Sequence, residues 1–243
     1  MSGFFNPTIA WITMRSTLGR KRAFLFAIPA LILILFTVAL KVSRPPSRPW
    51  PSHVLGTFGF SVLLPLTALI IGTSVLGAEI DDGSIIHLLA TPVRRADVIV
   101  TKFAVAVGLT VLFAAVPELI AGVLAPHSGK LALALFVGAL VGSVVYSAVF
   151  VLASVVTTRA IAFGLLYVAI WEGLLSNLVG GVRILSIAHY SLGVASAIYP
   201  DQDRLQAGLS LSTSLILGAV ITVGGLYLAT RRLQTFSIAG DPA

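Results

Sequence analysis

Residues 131–156 read LALALFVGALVGSVVYSAVFVLASVV, 26 positions without one charged side chain. A helical crossing of the bilayer core takes roughly 20 apolar residues, so this segment is long enough to span. Working outward, five further apolar runs stand out: Ala23–Leu40, Val54–Ala78 and Phe103–Ala125 before it, Ala160–Gly180 and Leu209–Thr230 after it. The fold class expected is therefore an all-α membrane protein with six transmembrane helices. The composition agrees: 57% of the 243 residues are hydrophobic and 10% charged, against about 25% charged in soluble domains. A mean hydropathy of +1.02 says the same. A water-soluble enzyme or a sizeable extramembrane domain is excluded. Residues 1–243 read as a single transmembrane domain.

The chain has no cysteine, which excludes disulfides and thiolate ligands. His53, His87, His127 and His189 are scattered without ligand spacing, so no metal site is expected. A net charge of +7 points in a soluble protein to nucleic acid; here the positive-inside rule explains it and no nucleic-acid partner is expected. Six spans place both termini on one side. With the termini inside, ten basic residues (Arg15, Arg20, Lys21, Arg22, Arg94, Arg95, Lys102, Arg159, Arg231, Arg232) face the cytoplasm and six face out. Arg exceeds Lys by 12 to 4, which hints at a GC-rich bacterial genome.

Residues 1–22 form an amphipathic stretch and a basic flank ending Arg20-Lys21-Arg22. They fit an interfacial helix over Phe4–Leu18 touching anionic headgroups, with Asn6-Pro7 as the turn before it. A signal peptide is the rival reading of Ala23–Leu40. The polar and aromatic residues before that run, and the lack of a small-residue cleavage site after it, favour a retained helix. The first outer loop, Lys41 to His53, holds Pro45, Pro46, Pro49 and Pro51 and reads as stiff and extended. The loop 181–208 contains apolar pieces Ile184–Ala188 and Leu192–Tyr199, too short to cross, which predict short outer-face helices. Pro29, Pro65 and Pro117 are expected to kink their spans. Gly138-x3-Gly142, with Ala134 and Tyr146, gives span four a small face for close packing, expected within the subunit, with a dimer seam as the alternative.

The cytoplasmic loop 79–102 carries the most information. Acidic Glu79, Asp81 and Asp82 precede Gly83, which permits a sharp turn. Ser84 can cap a short helix, Ile85 to Ala90, whose Ile85, Leu88 and Leu89 share one face. Pro92 ends that helix, and Arg94 and Arg95 follow at the interface. The product is a short apolar-faced helix projecting from two spans.

This loop resembles that of the ABC-2 type permease subunits of ATP-binding-cassette exporters. There an acid, three residues, Gly, four residues, Leu-Leu, two residues, Pro, two residues, Arg, six residues and Lys follow in order. Glu79, Gly83, Leu88 with Leu89, Pro92, Arg95 and Lys102 fill those places with every spacing kept. The resemblance implies that the loop is a coupling helix docking on a separate ATPase subunit, present in two copies with its ATP and Mg. It implies a translocation pathway built from two copies of this chain, or this chain and a homologous permease, with spans one, two and five lining the cavity. It also implies a multi-pass protein of the bacterial cytoplasmic membrane. The chain itself has no cofactor and is not an enzyme. Ser128-Gly129-Lys130 is no P-loop, for Leu124 and Leu131 stand where Gly and Ser/Thr are required.

Glu118, after Pro117, and Glu172, after Trp171, are the only acids inside the predicted spans. An ionisable group at depth is a functional candidate, so Glu118, Trp171 and Glu172 are candidate pathway residues, with structural hydrogen bonding as the alternative. The compact apolar chain looks most like drug and antibiotic exporters. The alternatives are a subunit resembling the cytochrome c maturation haem exporter, or a secondary transporter outside the cassette class. An intramembrane enzyme would want a Ser/His pair or paired Asp clusters at depth, and the sequence offers neither plainly.

Overall fold

The computed structural model describes residues 5–19, 22–43, 51–81, 94–125, 129–176, 180–200, 205 and 208–234. Among these every regular element is helical, with no strand. Five helices are long and apolar enough to cross a membrane: Ala23–Ser43, Val54–Gly77, Arg95–Leu124, Gly129–Val156 and Leu211–Gln234.

The N-terminal helix α1 (Pro7–Thr17) begins where the sequence places its start signals. Asn6 is the N-cap, its side chain accepting from the Thr8 and Ile9 amides, and Pro7 takes the first helical position, where a missing N–H costs nothing. Its inner face buries Ile9, Thr13 and Thr17, while Phe5, Trp11 and Ile12 stay more than half exposed. Next comes α2 (Arg22–Ser43), which carries Pro29 inside it. It runs past the predicted end at Leu40, and Pro51 opens α3 (Pro51–Phe58). The expected extended loop from Lys41 to His53 is thus helical at both ends; residues 44–50 lie outside the described set.

Two of the three predicted proline kinks take the form of π-helical turns. Residues Gly59–Leu63 form a π turn between α3 and α4 (Leu64–Asp81), just before Pro65, with the Leu64 amide bonded back to the Gly59 carbonyl. Residues Val111–Ala115 do the same between α5 (Arg95–Thr110) and α6 (Val116–Leu124), just before Pro117. The widened turn gives room for a ring that would otherwise strike the carbonyl four residues back.

At the centre lies α7 (Gly129–Val156), packed on α4, α6, α9 and α10. The span expected over Ala160–Gly180 is shorter: α8 (Ala160–Leu166) passes into a nine-residue π segment, Tyr167–Leu175. At 16 residues it falls below the length of the five crossing helices. Gly180 and Gly181 already belong to a 3-10 turn, Gly180–Leu185. Glycine's backbone freedom makes a poor helix interior there.

The two outer pieces anticipated in the last loop resolve into that turn and one helix, α9 (Ile187–Ile198). This helix does not lie on a surface, since Ile187 through Ala195 are all buried. Small residues make that possible. A Cβ on Gly138 would stand 2.6 Å from the Ser191 carbonyl oxygen, and one on Gly142 would stand 2.4 Å from the Ser191 hydroxyl. The small stripe of α7 therefore seats α9 within the same chain, as expected, and α10 (Leu211–Gln234) covers the outside. Gly138→Val is expected to lower stability by about 1–3 kcal/mol through overpacking, read as a fall in melting temperature in detergent. An unchanged melting point would mean α9 can move away without cost.

Candidate functional site

Three of the loop residues singled out by spacing lie within the described set, and all three sit where α1, α4, α5 and α10 meet. Lys102, on α5, is 0% exposed. Its ammonium lies 2.6 Å from Glu79 Oε1 on α4, and donates to the Val75 carbonyl at 2.9 Å and to Thr13 Oγ1 on α1 at 3.4 Å. One buried cation thus ties three helices. Beside it the Asn6 amide donates to Thr101 Oγ1 at 3.0 Å, fixing the start of α1 against α5. Arg95 donates from its guanidinium to the Leu233 carbonyl in the last turn of α10, where carbonyls lack helical partners and cations are favoured. Gly83, Leu88, Leu89 and Pro92 lie outside the described residues. The loop that contains them therefore leaves one helix and enters the next through a clamp.

Asn6, Thr13, Thr101 and Val75 were not anticipated in this role. Only the Asn6-Pro7 cap gave a signal, since Thr–Lys and carbonyl contacts across 27 to 95 positions leave no local pattern.

Glu172 lies in the π segment and is fully buried. Its Oε1 accepts from the Tyr167 hydroxyl and from the Ile187 amide, each at 2.9 Å, and its Oε2 accepts from the Ser186 hydroxyl. Tyr146, on α7, brings its hydroxyl alongside the same carboxylate without an aligned hydrogen bond. Ser186 is also the N-cap of α9, accepting from the His189 amide. The Glu172 carboxylate therefore sits at the N-terminus of α9, where negative charge is stabilised. It caps that helix from another element. Trp171, half exposed, donates from Nε1 to the Leu185 carbonyl at 3.3 Å, so it too fastens the segment to the 3-10 turn.

Ser186 Oγ and His189 Nδ1 lie 3.0 Å apart, so the fold brings together a Ser/His pair that the sequence did not display. It is not a nucleophile and its base. The Ser186 proton is given to Glu172, so the Nδ1 proton must point toward Ser186 Oγ and the ring cannot accept from it. Burial first, and the charge of Arg183 second, hold the His189 pKa down at about 4. The imidazole is therefore neutral throughout the physiological range.

Glu118 is placed quite differently. It is 1% exposed, and neither carboxylate oxygen has a hydrogen-bond partner among the described residues. Its head fills the notch left by Gly59 in the first π turn; a Cβ there would stand 1.7 Å from Glu118 Oε1. The three candidate pathway residues do not converge. Glu172 and Trp171 belong to the α9 anchor, and Glu118 faces the junction of α2, α4 and α6.

Two clefts open along one seam between α2, the α3–α4 helix and the α8 segment. One, of about 270 Å³, lies toward the α1 end and is lined by Leu25, Phe26, Thr73, Ser74, Thr157 and Ile161 among others. The other, of about 320 Å³, lies at the opposite end between Phe36, Val54, Phe58, Ser61, Val62 and Gly173. Both are apolar with a few hydroxyls. Among the described residues no group of His, Cys, Asp or Glu is arranged to hold a metal ion.

Residues 18–182, about two thirds of the chain, match the family described as ABC-2 family transporter protein. The match runs from the end of α1 into the 3-10 turn. No curated protein matches the chain.

Proposed function

The chain belongs to the ABC-2 transporter family, and on that premise we propose that it is the membrane permease of an ATP-driven exporter, working as a dimer with a separate ATPase. The observation that best supports the transport role is the seam along α2, α3–α4 and α8, which carries a cleft at each end. These are the first, second and fifth of six crossings if the Ala160–Leu175 segment is counted as a crossing. With an even count both termini share the cytoplasmic side, in keeping with the basic residues near α1 and at the end of α10.

In this reading the loop 79–102 carries the coupling helix, expected from the sequence over Ile85 to Ala90. The Glu79–Lys102 clamp ties the two ends of the loop to α1, α4 and α5, so movement of the ATPase passes into the bundle rather than into slack at the loop ends. A two-state bundle biased by ATP then alternates access to the two clefts. The clefts favour a lipophilic cargo with few polar groups, because their walls are apolar with some Ser and Thr hydroxyls and no charge. The chain carries no nucleotide site, and ATP and Mg would reside on the partner. Glu172 and Trp171 act as anchors of α9 and shape the pathway indirectly.

The test is a detergent pull-down of the tagged chain from its native host, with the 82–93 sequence intact or scrambled. Recovery of a Walker-motif ATPase with the intact loop alone supports the reading. Recovery from neither form, with both chains folded, would refute it.

A further inference from the structure

Glu118 is a buried acid that neither the clamp nor the α9 anchor uses. Its carboxyl borders a void of about 10 Å³ at the junction of three helices, close to the smallest space that holds one water. From α2 the void is faced by Pro29 and Leu33, from α4 by Leu64 and Thr67, from the π turn before α6 by Phe113, and from α6 itself by Pro117. None of the residues that bound it, apart from Glu118, is titratable or charged. Thr67 gives its proton to the Leu63 carbonyl at 2.8 Å, so its oxygen keeps only accepting capacity. The two prolines supply no amide donor.

This is a poor surrounding for an anion. A buried carboxylate is stable when paired or when it accepts several hydrogen bonds, and Glu118 has neither among the described residues. The void is far too small for an organic cation. It also lacks the ring of oxygen ligands that a dehydrated metal ion requires. What the junction does offer is acceptors: the Thr67 oxygen and the room for one water.

We propose that Glu118 is a proton-binding site, held as a neutral carboxylic acid at the junction of α2, α4 and α6. The acid proton is the ligand, and the junction stays closed while it is bound. Loss of the proton places an unpaired charge between three apolar helices and drives them apart or draws water in. The site lies between the helices on either side of residues 82–93, so its occupancy is tied to how those helices sit against α2.

The chain has only three glutamates, Glu79, Glu118 and Glu172, which makes the test sharp. Glu79 is paired with Lys102 and Glu172 accepts three hydrogen bonds, so neither shares the surroundings of Glu118. Infrared spectra of the full chain in lipid nanodiscs, with ¹³C placed only in the glutamate carboxyls, are expected at neutral pH to show one protonated carboxyl band. That band is expected to vanish in Glu118→Gln, which mimics the neutral acid and keeps the protein folded. In Glu118→Asp it is expected to leave the glutamate-labelled sample and appear in an aspartate-labelled one, which guards against a Gln variant that does not fold. No protonated band at neutral pH, or one that survives both substitutions, would overturn the proposal. So would loss of the band at constant pH when sodium replaces an organic cation in the buffer, because the ligand would then be a metal ion.

Discussion

Glu79→Leu is expected to destabilise the protein by about 3–5 kcal/mol, because it strands a cation that has no route to water. Lys102 is wholly buried while Glu79 is 24% exposed, so the two halves of the pair are not equivalent. Among the described residues, removing the acid leaves the ammonium with the Val75 carbonyl and the Thr13 hydroxyl. Removing the lysine, in Lys102→Met, leaves a carboxylate that can turn toward solvent, and the loss is expected to be smaller. The double variant Glu79→Leu/Lys102→Met is expected to recover most of the loss, since replacing both partners of a buried pair by apolar groups is often close to neutral. A double-mutant cycle on thermal unfolding in detergent measures this. A cost below about 1 kcal/mol for Glu79→Leu would class the pair with ordinary surface salt bridges and remove the clamp. If the clamp transmits movement from residues 82–93, the stable double variant is expected to lose coupling between ATPase and export even though it folds.

How much of this was legible in the sequence depends on how local the signal was. The crossing helices were legible because hydropathy over some 20 residues is a sum that tolerates errors. Pro7 after Asn6 announced the start of α1, since capping is a matter of neighbouring residues. Glu79 and Lys102 were marked by their spacing, but not as partners. A loop separates them, and nothing in a chain of letters says that it closes on itself.

The π turns had only indirect signs. Pro65 and Pro117 follow the first two, while the nine-residue segment Tyr167–Leu175 has no proline and reads as an ordinary apolar run. Its length explains why the fifth expected crossing comes out short, because residues expected to continue a regular helix are spent in a wider coil and a 3-10 turn. The burial of α9 was hidden for another reason. Its small residues Ser191 and Ala195 look like part of an outer-face helix until they are matched to Gly138 and Gly142, some 50 positions away. Glu118 and Glu172 looked alike in sequence, each following a proline or tryptophan inside a span. Among the described residues the fold gives Glu172 three donors and Glu118 none.

That contrast makes Glu172 the second place where a small change has a large expected effect. Glu172→Ala leaves the Tyr167 hydroxyl, the Ser186 hydroxyl and the Ile187 amide without their acceptor, all at buried or partly buried positions. A stranded buried donor costs about 1–3 kcal/mol, and the three are not independent, so a total loss of about 3–5 kcal/mol is expected. Glu172→Gln keeps the shape and one acceptor oxygen but turns a donor toward donors, and about 1–3 kcal/mol is expected. Tyr167→Phe removes one donor and leaves the carboxylate its other two, so about 1 kcal/mol is expected. The order Ala, Gln, Phe is what an anchor of α9 requires, and melting temperatures in detergent read it. A pathway contact predicts the opposite pattern: Glu172→Gln would alter export while melting and assembly stayed at the parent level. The geometry favours the anchor, because every lone pair that could meet a cargo through Oε1 or Oε2 competes with a donor already fixed by the chain. A cargo would have to break the N-cap of α9 to reach it, and with it the seat of that helix against Gly138 and Gly142.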